Sequence, residues 1–194
     1  MWVSDKLTGG WTDTSLTPLG ERQVAATAEY LSTLGLPARI PLFSSDLKRA
    51  TESAAIVGAA LGLTPTPLSD LREINNGDAT GLTQSQAEAI ARPEPDQPDL
   101  DWRRYQNAES YREMAQHLRK ALQAVDNVGS EIAIVVGHGF SGQELMRAWL
   151  KLPIDIPIAF ELGVASLSEL RINRWNEPLI SRLNFQVHTG LTLH

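Results

Sequence analysis

Three short stretches carry side chains able to bind and polarise an oxyanion, and each lies where one structural element gives way to another. The first is Ser44-Ser45-Asp46-Leu47-Lys48-Arg49, which follows the apolar run 40–43 and sets Arg49 in the first turn of an expected helix. A helix N-terminus carries partial positive charge, so a cation there is unfavourable unless an anion lies beside it. A phosphate would resolve the conflict, because helix N–H groups and a guanidinium fork can share its oxygens. A surface arginine paired with an acid is the plainer alternative.

The second stretch centres on His138, which stands between Gly137 and Gly139 after the most apolar run of the chain, 132–136. Glycine on both sides removes bulk and lets a ligand approach the backbone. An imidazole here could donate to a phosphoryl oxygen, with neighbouring N–H groups adding to it. A partly buried histidine bonded to a carbonyl is the alternative. The third stretch is the turn-rich loop 70–83 with Arg72 and Glu73. A carboxyl group near a phosphate has its pKa raised by the neighbouring negative charge, which suits it to protonate a leaving alkoxide. A solvated loop glutamate would need none of this. Each signal is weak alone, and their order along the chain is what joins them.

The elements that must position these groups are legible in the patterning. Residues 17–35 read as a helix, capped by Thr17, with Pro18 at its first position and Val24, Ala28 and Leu31 on one face. Residues 40–43 form a buried strand, and Asp46 is expected to cap the next helix, which carries Ala50, Ala54, Val57 and Leu61 inward and stops at Gly62. Pro65 and Pro67 restrict 63–68 to an edge strand or an extended loop. A short helix follows 70–83. The proline-rich stretch 92–101 then reads as an exposed insertion rather than a domain boundary. Ser110 with Glu113 has capping-box spacing, as does Ser141 with Glu144, so each is expected to open a helix. Two more strands are expected near 164–174 and 179–187. Strands alternating with helices imply an α/β fold of three layers, with a largely parallel sheet covered on both faces. At the carboxyl ends of such strands the ligand site is expected.

Composition narrows the chemistry. The chain has 194 residues, enough for one domain with a real core, and no cysteine, which excludes disulfides and thiolate metal sites. Its four histidines, His117, His138, His188 and His194, form no metal-ligand pair, so no metal site is expected. A net charge of −6 without like-charge blocks disfavours nucleic-acid or anionic-membrane partners. An anionic substrate must therefore be held by a local cluster. No apolar stretch reaches membrane-spanning length and the first residues are no signal peptide, so a cytoplasmic location is expected by default.

Taken together, GGWTDTSLTPLGERQ at 9–23, SSDLKRATESA at 44–54, LREINNGDATGLT at 71–83 and VVGHG at 135–139 resemble successive motifs of the histidine phosphatases, the phosphoglycerate mutase-like superfamily. The resemblance implies a phosphomonoester substrate, a phosphohistidine intermediate and no cofactor. Matched position by position, it makes Arg49 the phosphate-binding arginine, Glu73 the general acid and base, and His138 the second active-site histidine. Gly139 becomes a backbone donor, and Gly9 and Gly10 belong to the loop that closes over the substrate. Residues 107–110 resemble that family's Gly-Glu-Ser helix opening, with Ala108 in place of the glycine. Hydrolysis is the expected activity, mutase-type transfer to a second hydroxyl is the runner-up, and a phosphate-binding relative without turnover is the third reading. An unrelated doubly wound binding domain is the remaining alternative. The substrate's identity and the oligomeric state are not encoded in any readable motif.

The family's nucleophile sits in an Arg-His-Gly motif at the end of a central strand, and this chain contains no Arg-His-Gly. Such a strand of about six apolar residues would contribute about 10 kcal/mol or more of burial, comparable with the whole stability of a domain. Met1 is therefore expected to be an internal methionine of a longer protein. A second departure is Gly77-Asp78-Ala79-Thr80-Gly81, which lacks the aromatic residue and glutamate common before the last glycine.

Overall fold

The computed structural model describes residues 7–187. His188 and His194, like residues 1–6 of the opening segment, lie outside the described residues. Helix α1 (Pro18–Ser32) starts as expected: the Thr17 hydroxyl accepts the Gly20 N–H at 3.0 Å and Pro18 occupies the first turn. Its buried side, Val24, Thr27, Ala28 and Leu31, recurs at helical spacing. Strand β1 (Leu42–Ser44) is buried throughout and leads into α2 (Lys48–Leu61), which ends at left-handed Gly62. Strand β2 (Pro65–Pro67) follows, then 3-10 turns at Ser69–Leu71 and Gly77–Ala79, and the short α3 (Gln84–Ala89). Next come α4 (Tyr111–Asp126), β3 (Ile134–Val136), α5 (Gly139–Trp149), β4 (Leu167–Ile172) and β5 (Pro178–Phe185).

The parallel sheet has the order β2-β1-β3, with Leu42 opposite Pro65 on one side and Ile134 on the other. The proline-bearing strand lies at the edge, where a missing N–H costs no ladder bond. Alternation along β1 separates the helical layers. Leu42 packs with Val24, Ala28, Leu31 and Val57 of α1 and α2, whereas Phe43 packs with Leu71, Ala121 of α4 and Leu145 of α5. Burying Leu42 and Phe43 contributes about 1.5–3 kcal/mol each. The architecture is thus the expected α/β/α arrangement. Its parallel character stops at β3, because β4 and β5 have no helix between them and pair as an antiparallel hairpin.

Between β3 and this hairpin the ladder is interrupted. Ile134 donates its N–H to Pro41 and Val136 accepts from Ser45, so both face β1. Alternation in a parallel ladder turns the Val135 peptide groups the other way, and no strand pairs there among the described residues. Val135 is 40% exposed, unusual for the central residue of so apolar a strand. Yet the hairpin is close: Ala165 and Leu167 pack on the same α1 cluster as Ile134 and Val136, and the Thr27 hydroxyl donates to the Ala165 carbonyl at 2.7 Å.

Two capping expectations are corrected. Asp46 does not cap α2: its carboxylate is engaged by Arg72, and the Lys48 N–H goes to Asp13 Oδ1 at 2.6 Å. A guanidinium that binds both oxygens outcompetes a single backbone donor. Ser141 is not the cap of α5 either. The helix begins at Gly139 with His138 as N-cap, leaving Ser141 and Glu144 fully buried inside it. By contrast, the Ser110–Glu113 capping box of α4 forms in both directions.

Candidate active site

The carboxyl ends of β1 and β3 open onto one rim of the sheet, and the loop 8–13 lies across it. Arg49, in the first turn of α2, is only 4% exposed. It donates to the Thr12 carbonyl at 2.8 Å and the Gly10 carbonyl at 2.7 Å, while its Nε has no partner. Burial lowers its pKa, against the opposing pull of Glu73 and Asp13. Buried carbonyls, not a surface acid, therefore satisfy the misplaced cation, and they bind the loop to α2. Gly10 is required there: its φ is +69°, and a Cβ would lie 2.5 Å from the Ile74 carbonyl oxygen. Gly9, next to it, has open space around it.

The same loop is pinned to residues 72–81 from several sides. The Trp11 indole donates to the Glu73 carbonyl at 2.6 Å, and the Thr12 hydroxyl accepts the Gly81 N–H at 2.9 Å. The Arg72 guanidinium lies 4.6 Å from the centre of the Trp11 ring and grips Asp46 through two bonds of 2.6 Å. That pairing holds the Asp46 carboxyl below its ordinary pKa.

Glu73 is buried, and its carboxylate accepts three backbone N–H groups: Ile74 at 2.9 Å, Phe140 at 3.0 Å and Ser141 at 2.9 Å. Two of these are free donors of the first turn of α5, the place where helix geometry and dipole favour an anion. Burial raises the Glu73 pKa, although the three N–H groups and Arg49 act in the opposite sense. His138, the N-cap of α5, has extended backbone (φ −125°, ψ 175°), an enclosed Nε2 without a partner, and a neighbour, Gly139, at the first helical position. Burial and then the positive charge of Arg49 push its pKa down to about 3, so the ring is neutral near pH 7.

Ser44 Oγ, Arg49 Nε, His138 Nε2 and Ser141 Oγ are all buried without a hydrogen-bond partner. Buried polar atoms are normally paired, so four at the ends of β1 and β3 and the helices that follow point to a polar ligand. The helix carrying His138 is braced from behind. The fully buried Glu144 accepts from Tyr111 Oη at 2.7 Å and Arg119 at 2.9 Å, and Tyr111 packs edge-on against Phe140 at 5.9 Å.

The structure thus gathers Arg49, Glu73, His138, Gly10 and Gly139 at one rim, with Gly9 at the outer side of the loop. Trp11, Asp13, Asp46 and Phe140 also contribute; none was singled out from the sequence as a site residue, Asp46 having been read only as a helix cap. Trp11 carried a signal, since an aromatic directly after a glycine pair suits a closing loop. Asp13 carried none, because its capping of Lys48 joins loops 35 residues apart and is a tertiary event. Among the described residues no group of three or more His, Cys, Asp or Glu could hold a metal ion, and no helix is long and apolar enough to cross a membrane.

Comparison with known proteins agrees with this arrangement. The family profile described as histidine phosphatase superfamily (branch 1) matches residues 1–186. The chain is 32% identical over 178 residues to glucosyl-3-phosphoglycerate phosphatase of Mycobacterium tuberculosis, covering 83% of this chain and 76% of the other. It is 27% identical over 192 residues to the "Probable phosphoglycerate mutase GpmB" of Erwinia tasmaniensis, covering 93% and 83%. The solved native structure of a mycobacterial glucosyl-3-phosphoglycerate phosphatase superposes with a TM-score of 0.76 at 27% identity, over 93% of this chain and 91% of that one. Its complex with inorganic phosphate gives 0.74 at 28% identity, over 94% and 93%. With the profile covering nearly its whole length, this chain belongs to the histidine phosphatase superfamily, branch 1.

Proposed function

We propose that this chain binds a phosphomonoester through Arg49, His138 and the N-terminus of α5, with Glu73 as the proton donor and acceptor for its hydrolysis. The observation that carries this reading is the cluster of unpaired buried donors beside an acid of raised pKa. The guanidinium and the α5 N–H groups, held before the reaction begins, neutralise charge on the phosphoryl oxygens. The phosphoryl group moves to a histidine nitrogen while the leaving alkoxide takes a proton from Glu73. Water then attacks phosphorus, returning its proton to Glu73 and releasing phosphate. Both curated relatives described above are named for phosphorylated small molecules, which supports a substrate of that class.

The nucleophile in this reading belongs to a strand that pairs along the free edge of β3 and ends in Arg-His-Gly at the same rim. That no strand among the described residues pairs with the outward Val135 peptide groups supports this placement. The test is hydrolysis of an aryl phosphate. The 194-residue chain is expected to show no turnover, and the protein carrying such a strand upstream is expected to turn over. In the latter, His138→Ala and Arg49→Ala should each lower kcat by about 10²–10³. Turnover indifferent to both substitutions would refute the reading. Mutase-type transfer is the second reading, favoured by the likeness to GpmB, and a second phosphorylated product would reveal it.

A further inference from the structure

His117 is a titratable group, largely enclosed, that the proposed reaction leaves unused. It lies on the side of α4 that meets the 3-10 turn Ser69–Leu71, and its side chain is only 16% exposed. Its Nδ1 sits 2.8 Å from the Asp70 carbonyl oxygen, and its Nε2 lies 3.3 Å from Glu109 Oε1. The other oxygen of Glu109 accepts the Asn75 N–H at 3.1 Å, and the Glu109 N–H donates to the Asn75 carbonyl at 2.8 Å. One ion pair therefore holds the segment 70–75 at both ends, and Glu73 stands between them. Beyond it, the Asn75 side chain accepts the Gly77 N–H at 2.8 Å, which fixes the turn that follows.

These partners dictate the ring's proton count. A carbonyl oxygen and a carboxylate only accept, so both ring nitrogens must donate, and only the imidazolium carries two N–H groups. Asp70 from the 3-10 turn and Glu109 from the turn before α4 face the ring, and both are negative. Burial works against the ring's charge, but the Glu109 contact, the Asp70 carbonyl and these two charges outweigh it, so its pKa is raised. A neutral ring that kept its bond to Asp70 would turn a lone pair toward the Glu109 carboxylate. We propose that His117 and Glu109 are positioning residues for Glu73: an imidazolium–carboxylate pair that fixes the segment 70–75 and so sets the Glu73 carboxylate against the Phe140 and Ser141 N–H groups. When the ring loses its proton, Glu109 loses its partner, the Asn75 end is released, and the bonds from Phe140 and Ser141 to Glu73 weaken. The position of the acid is thereby tied to a titration on a different helix. This role rests on the assignment of Glu73 as proton donor and acceptor made above.

An NMR pH titration of the 194-residue chain on both sides of neutrality tests it, following the His117 ring together with the Phe140 and Ser141 backbone amides. Both amides are expected to shift with the midpoint of the His117 ring, above the ordinary histidine value of about 6.5. Glu109→Gln should lower that midpoint by about half a pH unit or more and carry the amide step with it. His117→Gln should abolish the amide step, whereas His117→Lys, a cation throughout the titration, should hold the amides at their low-pH positions. A histidine that merely filled space would lower the urea midpoint when replaced, yet give the two amides no step at its own titration. Amides of the unaltered chain that pass unmoved through the His117 titration overturn the role of the pair, with no variant needed. If added inorganic phosphate leaves the same amides unmoved, the phosphate site falls instead, and the role of Glu73 with it.

Discussion

Glu73 and Ser141 are 68 residues apart in sequence, yet Glu73 Oε1 accepts the Ser141 backbone N–H at 2.9 Å, while its other oxygen accepts from Phe140. The carboxylate thereby fills the anion position at the start of α5. An incoming phosphate must compete with it for the same N–H groups. Glu73→Gln removes the negative charge and should tighten inorganic phosphate binding several-fold at pH 7, measured by calorimetric titration. The same substitution should cost about 0.5–2 kcal/mol of stability, as for a lost helix cap.

The buried His138 ring predicts an acid-side weakness. Its pKa in the folded chain is about 3, well below the ordinary histidine value of 6.5. Between these values the unfolded state binds the proton and the folded state does not, so stability falls as pH drops from about 6.5 toward 3. The raised pKa of Glu73 acts in the opposite sense, adding stability as the pH falls through its titration. Replacing His138 by Gln should flatten the histidine part. Urea unfolding at pH 7 and pH 5 should show the unaltered chain losing about 2 kcal/mol more than His138→Gln.

Gly77 has a φ of +51°, and a Cβ there would lie 2.3 Å from the Ala108 nitrogen and the Gln106 carbonyl oxygen. Both atoms are backbone and cannot turn aside. Gly77→Ala should therefore destabilise the chain by about 3 kcal/mol or more through strain and overpacking together. Gly129, also at positive φ but with open space around it, should tolerate alanine at about 1 kcal/mol. Parallel urea titrations of the two variants separate crowding from backbone strain.

The fully buried Glu144 joins the partly exposed Tyr111 and Arg119 and the buried Arg147 behind the first turn of α5. Arg147 is only 8% exposed, so Glu144→Ala leaves a buried cation without its carboxylate. A loss of about 3–5 kcal/mol in unfolding free energy is expected, with a smaller loss for Glu144→Gln.

Much of this architecture could be read from patterning. The helical period of Val24, Ala28 and Leu31, the Ser110–Glu113 capping box and the prolines that mark β2 as an edge all reflect local rules, and each element formed as expected. Arg49, Glu73 and His138 drew notice as reactive side chains at element ends, and the family resemblance is what joined them. The exchange of caps was not legible. Asp46 and Ser141 had the right local chemistry, but Arg72 and Glu73 arrive from other loops and offer stronger partners. The antiparallel β4–β5 hairpin was signalled only by the lack of a helix between its strands. The stacking of Arg72 on Trp11 joins residues 61 positions apart and has no sequence signature.

The most direct test of the shared anion site is a histidine-resolved NMR titration of the 194-residue chain, following the His138 ring signals against pH with and without inorganic phosphate. Bound phosphate should replace the positive field of Arg49 at His138 with a negative one, raising the ring's pKa by at least two units in the unaltered protein and by far less in Arg49→Ala. A His138 titration that phosphate leaves unmoved, in a chain that stays folded throughout, would contradict the claim that these residues hold one phosphoryl group.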